Sequence, residues 1–497
     1  MPSTPKAIYK DYKRKELDKD SAINLLLTLI ENVENIETRI ESIKILSKFH
    51  TNDEKTYKFL EHLLVSDLNE DIRVQTCEIL KENYKDKILT PLSWILEHEI
   101  SIKCLIMGLL TLAEIDNQES KSLLKKKLNS LLIKDQKFNL KNIIITPKII
   151  ADLPSKELAE ILISYYLLSS LTSEFGVINY KLDAAALITE LDLSNVESFD
   201  PKIQKLDNLI NSILSLKSIR KLDLRFNHLS KIPKLISESI EHLDFSYNKI
   251  IILPEFNNLP IIKNLTLKSN RLRVIPTSIG YLHSLEILNL RNNMLNELPS
   301  SFDSLNSLKI LDLHGNKFNS ILVNLNKSIK ELELGWNNFT RVPSVIKPLL
   351  SLEKLGMGGN KLNLIPDWFG SYQNLKELDL YDNKLSELPD SIGSLRSLNS
   401  FNLRNNQLVT LPESFKNLKS LKKLNLSWNN FEMIPDWIGD LSSLEELCLW
   451  GNKLENLPAS ISFLSNLKIL DLNFNKIKEL PQFLRKLKQN TDLLIKL

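Results

Sequence analysis

The run Leu375-Lys376-Glu377-Leu378-Asp379-Leu380-Tyr381-Asp382-Asn383-Lys384-Leu385 decides the fold. Its frame, L-x-x-L-x-L-x-x-N-x-L, recurs at Asn360, Asn383, Asn406, Asn429, Asn452 and Asn475, always 23 residues apart. Each copy closes on a hydrophobic residue and a proline: Ile365-Pro366, Leu388-Pro389, Leu411-Pro412, Ile434-Pro435, Leu457-Pro458 and Leu480-Pro481. A fixed period of this length means stacked supersecondary units that bury a continuous core between neighbours.

Upstream, the frame continues at Asn227, Asn248, Asn270, Asn293, Asn316 and Asn337, which makes twelve copies. The early spacings are 21, 22, 23, 23 and 21, and the shortfall falls between one asparagine and the next strand, on the outer side. The copy after Asn316 lacks its proline and reads Phe318-Asn319-Ser320-Ile321-Leu322. Alternation within L-x-L turns two leucines inward and the residue between them outward, so each copy supplies one short strand of a parallel sheet. The asparagine must turn the chain inside a dry core, where its amide offers two donors and an acceptor to the loop backbone. Proline fixes φ and lacks an N–H, which suits the exit to an outer segment with no ladder partner. At ~4.8 Å per strand the inner surface runs on the order of 55 Å, curved because the outer side is bulkier.

These residues resemble the leucine-rich-repeat family, in its 23-residue intracellular L-P-x-x-I-G-x-L-x-x-L subclass. Ile275-Pro276-Thr277-Ser278-Ile279-Gly280-Tyr281-Leu282 and Leu388-Pro389-Asp390-Ser391-Ile392-Gly393-Ser394-Leu395 carry the likeness. The resemblance implies an α/β leucine-rich-repeat solenoid over residues 187–485, a parallel-strand horseshoe that scaffolds protein partners. By the same resemblance a small GTPase or a signalling enzyme is a candidate partner. Leu191-Asp192-Leu193-Ser194-Asn195 reads as a degenerate first repeat, and residues 486–497 as a C-terminal cap with one wet face.

Residues 1–150 contain one glycine, Gly108, and apolar spacings such as Ile23, Leu26, Leu27 and Ile30, so amphipathic helices are expected. The segments starting at Arg39, Arg73 and Lys103 align at offsets of 34 and 30 residues. They resemble a short HEAT-like array of about three helix pairs, with Asn69 or Asp71 capping one helix while Arg73 reaches toward loop carboxylates. Cys77, Cys104 and Met107 fall on the apolar face. Residues 151–186 read as a linker helix, capped by Asp152 or Ser155 and running to about Leu171, that shields the first edge of the repeats. After it, Val177 to Leu182 and Ala186 to Leu193 form a hairpin turning near Asp183.

Sixty-four Lys and Arg against 61 Asp and Glu leave a net charge of +3, no global argument for nucleic acid or an anionic membrane. The 3 cysteines are scattered, no apolar h-region follows the basic N-terminus, and the run Ile161 to Leu171 is too short to span a bilayer. A cytoplasmic protein is expected. Seven histidines form no H-E-x-x-H, and no phosphate loop or nucleophile elbow occurs, so no catalysis, cofactor or metal is expected.

Because the fold consumes the leucines, asparagines and prolines, partner information resides in the outward columns of the strands. Arg225, Lys268, Arg291, His314, Tyr381, Arg404 and Trp450 fall in the column after the second leucine, and Phe226, Tyr247, Trp336, Trp428 and Phe474 in the next. Trp, Tyr and Arg dominate interface energies, so these twelve residues are the expected partner-binding set; the competing view is that the rings merely stack on each other and stiffen the sheet. The column between the leucines, including Asp223, Asp244, Asp312, Glu333, Asp379 and Asp471, is expected to be a solvated face of ion pairs. Gly315, Gly335, Gly356, Gly358 and Gly359 suggest a bare notch that could admit a partner's backbone. Trp368 and Trp437 are expected to pack in the outer layer. The functional expectation is a non-catalytic scaffold binding a protein on the concave face, with neither nucleic acid nor membrane as partner. The alternatives are an architectural adaptor using both arrays, or a regulatory subunit of a small GTPase or signalling enzyme.

Overall fold

The computed structural model describes residues 4–134, 147–185, 187–196, 210, 212–214, 216–232, 237–490 and 493–497. Two compact units result: Met1–Asp192 with Ile203–Ile219, and Leu193–Lys202 with Arg220–Leu497.

The first unit is helical, in chain order α1 (Pro5–Lys13), α2 (Lys19–Asn32), α3 (Ile36–Ser47), α4 (Glu54–Ser66), α5 (Glu70–Asn83), α6 (Leu89–His98), α7 (Ile102–Ile115), α8 (Gln118–Lys134), α9 (Pro147–Asp152) and α10 (Ser155–Phe175). Short polar side chains start seven of them by accepting free N–H groups of the first turn: Thr4, Asp18, Asn35, Asp53, Asn69, Ser101 and Asn117. Helices pair as α2–α3, α4–α5 and α6–α7, while α3, α5, α7 and α10 pack in series as one layer, a repeat array of hairpins. Helix α10 packs on α7 and α8, so residues 155–175 belong with the helices. Its cap is Pro154 rather than Asp152 or Ser155, it runs past Leu171 to Phe175, and Gly176 ends it at φ 77°.

Two arginines in equivalent places tie each hairpin to the next. Arg39 pairs with Asp67 and donates to the Ile30 carbonyl at 2.6 Å; Arg73 grips Glu99 at 3.0 and 3.1 Å and donates to the Asp67 carbonyl at 2.6 Å. Cys77 and Cys104 are buried, and burial pushes both thiols up, Cys77 to about 12, whereas Met107 is half-buried. The unit ends in a hairpin, β1 (Asn179–Leu182) antiparallel to β2 (Ile188–Asp192), whose turn is held by Asp183 accepting the Ala185 and Leu187 N–H groups. Residue 186 lies outside the described residues.

The second unit is a parallel sheet of three-residue strands, β3 (Lys221–Asp223), β4 (His242–Asp244), β5 (Asn264–Thr266), β6 (Ile287–Asn289), β7 (Ile310–Asp312), β8 (Glu331–Glu333), β9 (Lys354–Gly356), β10 (Glu377–Asp379), β11 (Ser400–Asn402), β12 (Lys423–Asn425), β13 (Glu446–Cys448), β14 (Ile469–Asp471) and β15 (Leu494–Lys496). Each pairs only with its chain neighbours, leucine opposite leucine except at Phe401 of β11 and Ile495 of β15, so the core is one continuous stack. Strand β15, beside β14, lies in the stretch expected to be only a cap.

The asparagines form the expected ladder. In the repeat of Asn406, Nδ2 donates to the Leu380 and Leu403 carbonyls at 3.0 Å while Oδ1 accepts the Leu385 N–H at 3.0 Å, so one amide ties two successive repeats. The first copy departs from the reading of Leu191 to Asn195: Asn195 is at φ 56°, and Val196 stands in the ladder position, donating its N–H to Asn227 Oδ1 at 2.9 Å.

On the outer side most prolines open a short 3-10 turn, such as Thr277–Tyr281 or Asp390–Ser394. The glycine of I-G is required there: a Cβ on Gly393 would sit 2.1 Å from the Ser414 carbonyl oxygen of the next repeat. Trp368 lies against Phe369 and Tyr372, and Trp437 against Phe415, as outer packing.

Candidate functional site

The sheet face carries three side-chain columns, and the backbone assigns each a different task. Between the leucines, Asp and Asn turn back onto their own strand ends. Asp223 accepts the Arg225 N–H, Asn289 that of Arg291, Asp312 that of His314 and Asn425 that of Ser427, all at 3.0 Å. The expected ion pairs form at four of the acids, Asp223 and Asp244 with Arg225 at 2.6 and 3.7 Å, Glu333 with Lys354 at 3.1 Å and Asp471 with Lys496 at 3.9 Å, but the face is less solvated than expected, and burial raises the carboxyls of Asp244, Asp312, Glu333 and Asp379.

A longer ion-pair ladder lies just ahead of the strands, where signs alternate except at the successive cations Lys309 and Lys330 and at Asn399. Glu241 binds Arg220 and Lys263, Glu353 binds Lys330 and Lys376, and Glu445 binds Lys422 and Lys468. Two lysines hold Glu353 well below the usual carboxylate range, at about 2. The alternation is visible in the sequence at the second position of L-x-x-L.

The third column is not a strand column. Phe226, Tyr247, Ser269, Asn292, Gly315, Trp336, Gly359, Asp382, Asn405, Trp428, Gly451 and Phe474 all have φ between 50° and 69°, so every repeat makes a left-handed turn there. Gly, Asn, Asp and Ser at seven of those rungs fit that requirement, and this composition was the signal available in the sequence. The five aromatics do not fit it. A left-handed residue with a side chain costs roughly 1–2 kcal/mol, and bulky rings are the least suited.

The twelve expected binding residues fall into three groups along the face. At the N-terminal end Phe226 stacks on Tyr247 with centroids 4.4 Å apart, and Lys268 sits 5.2 Å over the Tyr247 ring, beside Arg225. In the middle Trp336 donates its indole N–H to the Tyr381 hydroxyl, next to Arg291 and His314. At the C-terminal end Trp428, Trp450 and Phe474 follow one another at 5.3 and 5.9 Å, with the Arg404 guanidinium 5.7 Å over Trp450. The Trp450 indole N–H is buried with no acceptor. Trp336, Trp428 and Phe474 are 53%, 44% and 77% exposed.

The glycine notch is not open. The Tyr381 ring lies where a Gly358 Cβ would stand, the Trp336 indole covers Gly359, Glu333 covers Gly356, and Trp428 covers Gly451 in the same way. Loss of side chains seats a neighbour's ring rather than a partner. Burial, then the charges of Arg291 and Lys268, lower His314 to about 4, so its imidazole is neutral at pH 7. Among the described residues no group of three His, Cys, Asp or Glu could hold a metal ion, and no helix is long and apolar enough to cross a membrane.

Comparison with known proteins agrees with this architecture. Family models match a leucine-rich repeat region at residues 359–455, a leucine-rich repeat at 260–318 and two further copies at 442–486. A leucine-rich-repeat protein of Leptospira interrogans superposes with a TM-score of 0.51 and 28% identity over 67% of this chain and 98% of that one. An internalin of Listeria monocytogenes superposes at 0.52 with 20% identity over 67% and 93%. The human volume-regulated anion channel subunit LRRC8A is 31% identical over 109 residues, 21% of this chain but only 12% of the relative's length. The chain is a leucine-rich-repeat protein, its repeat solenoid preceded by an all-helical region of repeated hairpins.

Proposed function

We propose that the protein is a non-catalytic scaffold that holds a protein partner on the concave sheet face, with Trp336, Trp428, Trp450 and Phe474 as the main anchors. The observation that carries this reading is the set of aromatic rings at left-handed turns, Trp336, Trp428 and Phe474 among them, where seven sister rungs have Gly, Asn, Asp or Ser. Lateral ring contacts give back roughly 0.5–1.5 kcal/mol, about what the backbone conformation costs, so stiffening the sheet does not account for them. Large exposed rings flanked by arginine are what a hot spot requires. The unpartnered Trp450 indole N–H is a donor that a partner's carbonyl can satisfy once the cluster opens.

The test has two arms, using the protein that cross-links to this chain in cell extract. Trp336→Ala, Trp428→Ala and Trp450→Ala are each expected to weaken that complex by roughly 2 kcal/mol or more. Trp428→Gly removes the ring and suits the left-handed turn, so binding should fall while melting holds or rises. Full affinity in all these variants defeats the proposal, and a loss of melting temperature in Trp428→Gly returns the rings to a structural role.

A further inference from the structure

Charge on the sheet face is unevenly distributed in a way that the ion-pair ladder ahead of the strands is not. Over strands β5 to β7 and the two outward columns that follow, the cations Lys268 and Arg291 face the single acid Asp312. Asp312 accepts the His314 N–H at 3.0 Å and feels both cations at longer range, and among the described residues no carboxylate lies within ion-pair distance of Lys268 or Arg291, which leaves two positive charges to one negative. The next three repeats reverse the sign: Glu331, Glu333, Glu377, Asp379 and Asp382 stand against Lys354 alone.

A second row is basic along much of the array. The residue after the ladder asparagine is exposed at the strand-end rim, and Lys249, Arg271 and Lys317 there, like Lys361 and Lys384 farther on, have no carboxylate within ion-pair distance among the described residues, so the sign reversal belongs to the sheet face and the rim adds cations beside its positive half. His314, which loses its proton affinity partly to Arg291 and Lys268, reports that these charges act on one region of the face. Leaving charges of one sign uncompensated side by side is unfavourable in the free protein, and a ligand of opposite sign removes that cost.

We propose that Lys268 and Arg291, with Lys249, Arg271 and Lys317 along the rim, receive a short run of Asp and Glu side chains from the protein partner. The inference rests on the sheet face being the docking face and adds the chemistry of what docks there. The length of the positive zone selects a peptide. Four strands span roughly 15–20 Å, which five or six extended residues cover, whereas a polynucleotide lying along the array would run its phosphates into Glu331, Glu333 and Asp379. The same reversal of sign sets polarity, placing the acidic run toward the N-terminal repeats.

The experiment is a fluorescence-anisotropy titration of the full chain against a fluorescein-labelled peptide of six glutamates flanked by neutral residues. A hexalysine peptide and a twenty-residue oligothymidylate serve as competing probes. Expected are binding of the acidic peptide that falls steeply between 25 and 150 mM salt, at least a tenfold loss in Lys268→Glu/Arg291→Glu and in the milder Lys268→Gln/Arg291→Gln, and less than twofold change in Lys453→Glu/Lys476→Glu. Circular-dichroism melting confirms that each variant is folded. The inference is overturned if the hexalysine peptide or the oligothymidylate binds more tightly than the acidic one, if no acidic binding occurs, or if both double reversals lose it equally. Any of these leaves the tryptophan variants to decide the wider scaffold reading on their own.

Discussion

The helical unit and the strand unit solve one problem, fastening a repeat to the next, with opposite chemistry. Between helical hairpins the fastener is charged: the Arg73–Glu99 pair has side chains only 11% and 5% exposed. Between strand repeats it is neutral, an asparagine amide buried in a ladder of backbone partners. A buried ion pair is costly to desolvate and specific in geometry, whereas an amide ladder can be copied twelve times without accumulating charge. The strand unit is thereby left to place its charges on surfaces.

Breaking the neutral fastener should have the largest effect. Asn406→Ala orphans the buried Leu385 N–H and removes one of the two amide donors at each of the Leu380 and Leu403 carbonyls, which keep Asn383 and Asn429, and a loss of about 4 kcal/mol in urea unfolding is expected from these three bonds together. The charged fastener comes next: Arg73→Met leaves Glu99 buried and unpaired and should cost about 3 kcal/mol, whereas Arg73→Met/Glu99→Leu should recover most of it. If the single and double replacements melt alike, the pair is not what joins the hairpins. The smallest effect belongs to surface charge and is read by proton NMR. His314 should titrate near 4 and move back up in Lys268→Ala/Arg291→Ala. Because its folded-state pKa is depressed, its contribution to stability is full above about 6.5 and declines as pH falls toward 4.

How much of this could be read from the letters differed between the same two regions. The strand repeats announce themselves because each ladder Asn, inward Leu and exit Pro recurs at fixed spacing and answers to a local rule. The left-handed third column was missed for the opposite reason: side-chain alternation describes strands, and Phe226 or Trp336 looks like a strand residue unless Gly359, Gly451 and Asn405 are read as its equivalents. The inverted meaning of the glycines, seats for Tyr381 and Trp336 rather than a notch, depends on ring positions one repeat away. In the helical unit Arg73 was legible as a reach toward loop carboxylates, but its partner Glu99, 26 residues on, required the packing of one hairpin on the next. Helix α10 looked like a linker because the periodicity failed ahead of it, yet its apolar residues meet α7 and α8.

The missing proline after Asn316 has a mechanical consequence. Among the described residues, no 3-10 turn occurs between Ser304 and Ser344, Leu322 is 92% exposed, and the strand-side ladder runs on unbroken through Asn316 and Asn337. The coil between β4 and β5 also lacks the 3-10 turn, though it keeps its proline, Pro254. An outer wall thinned at these coils, over an inner wall that is continuous, is a spring with soft turns, and the one after Asn316 lies midway along the sheet, between the positive and the negative halves of its face.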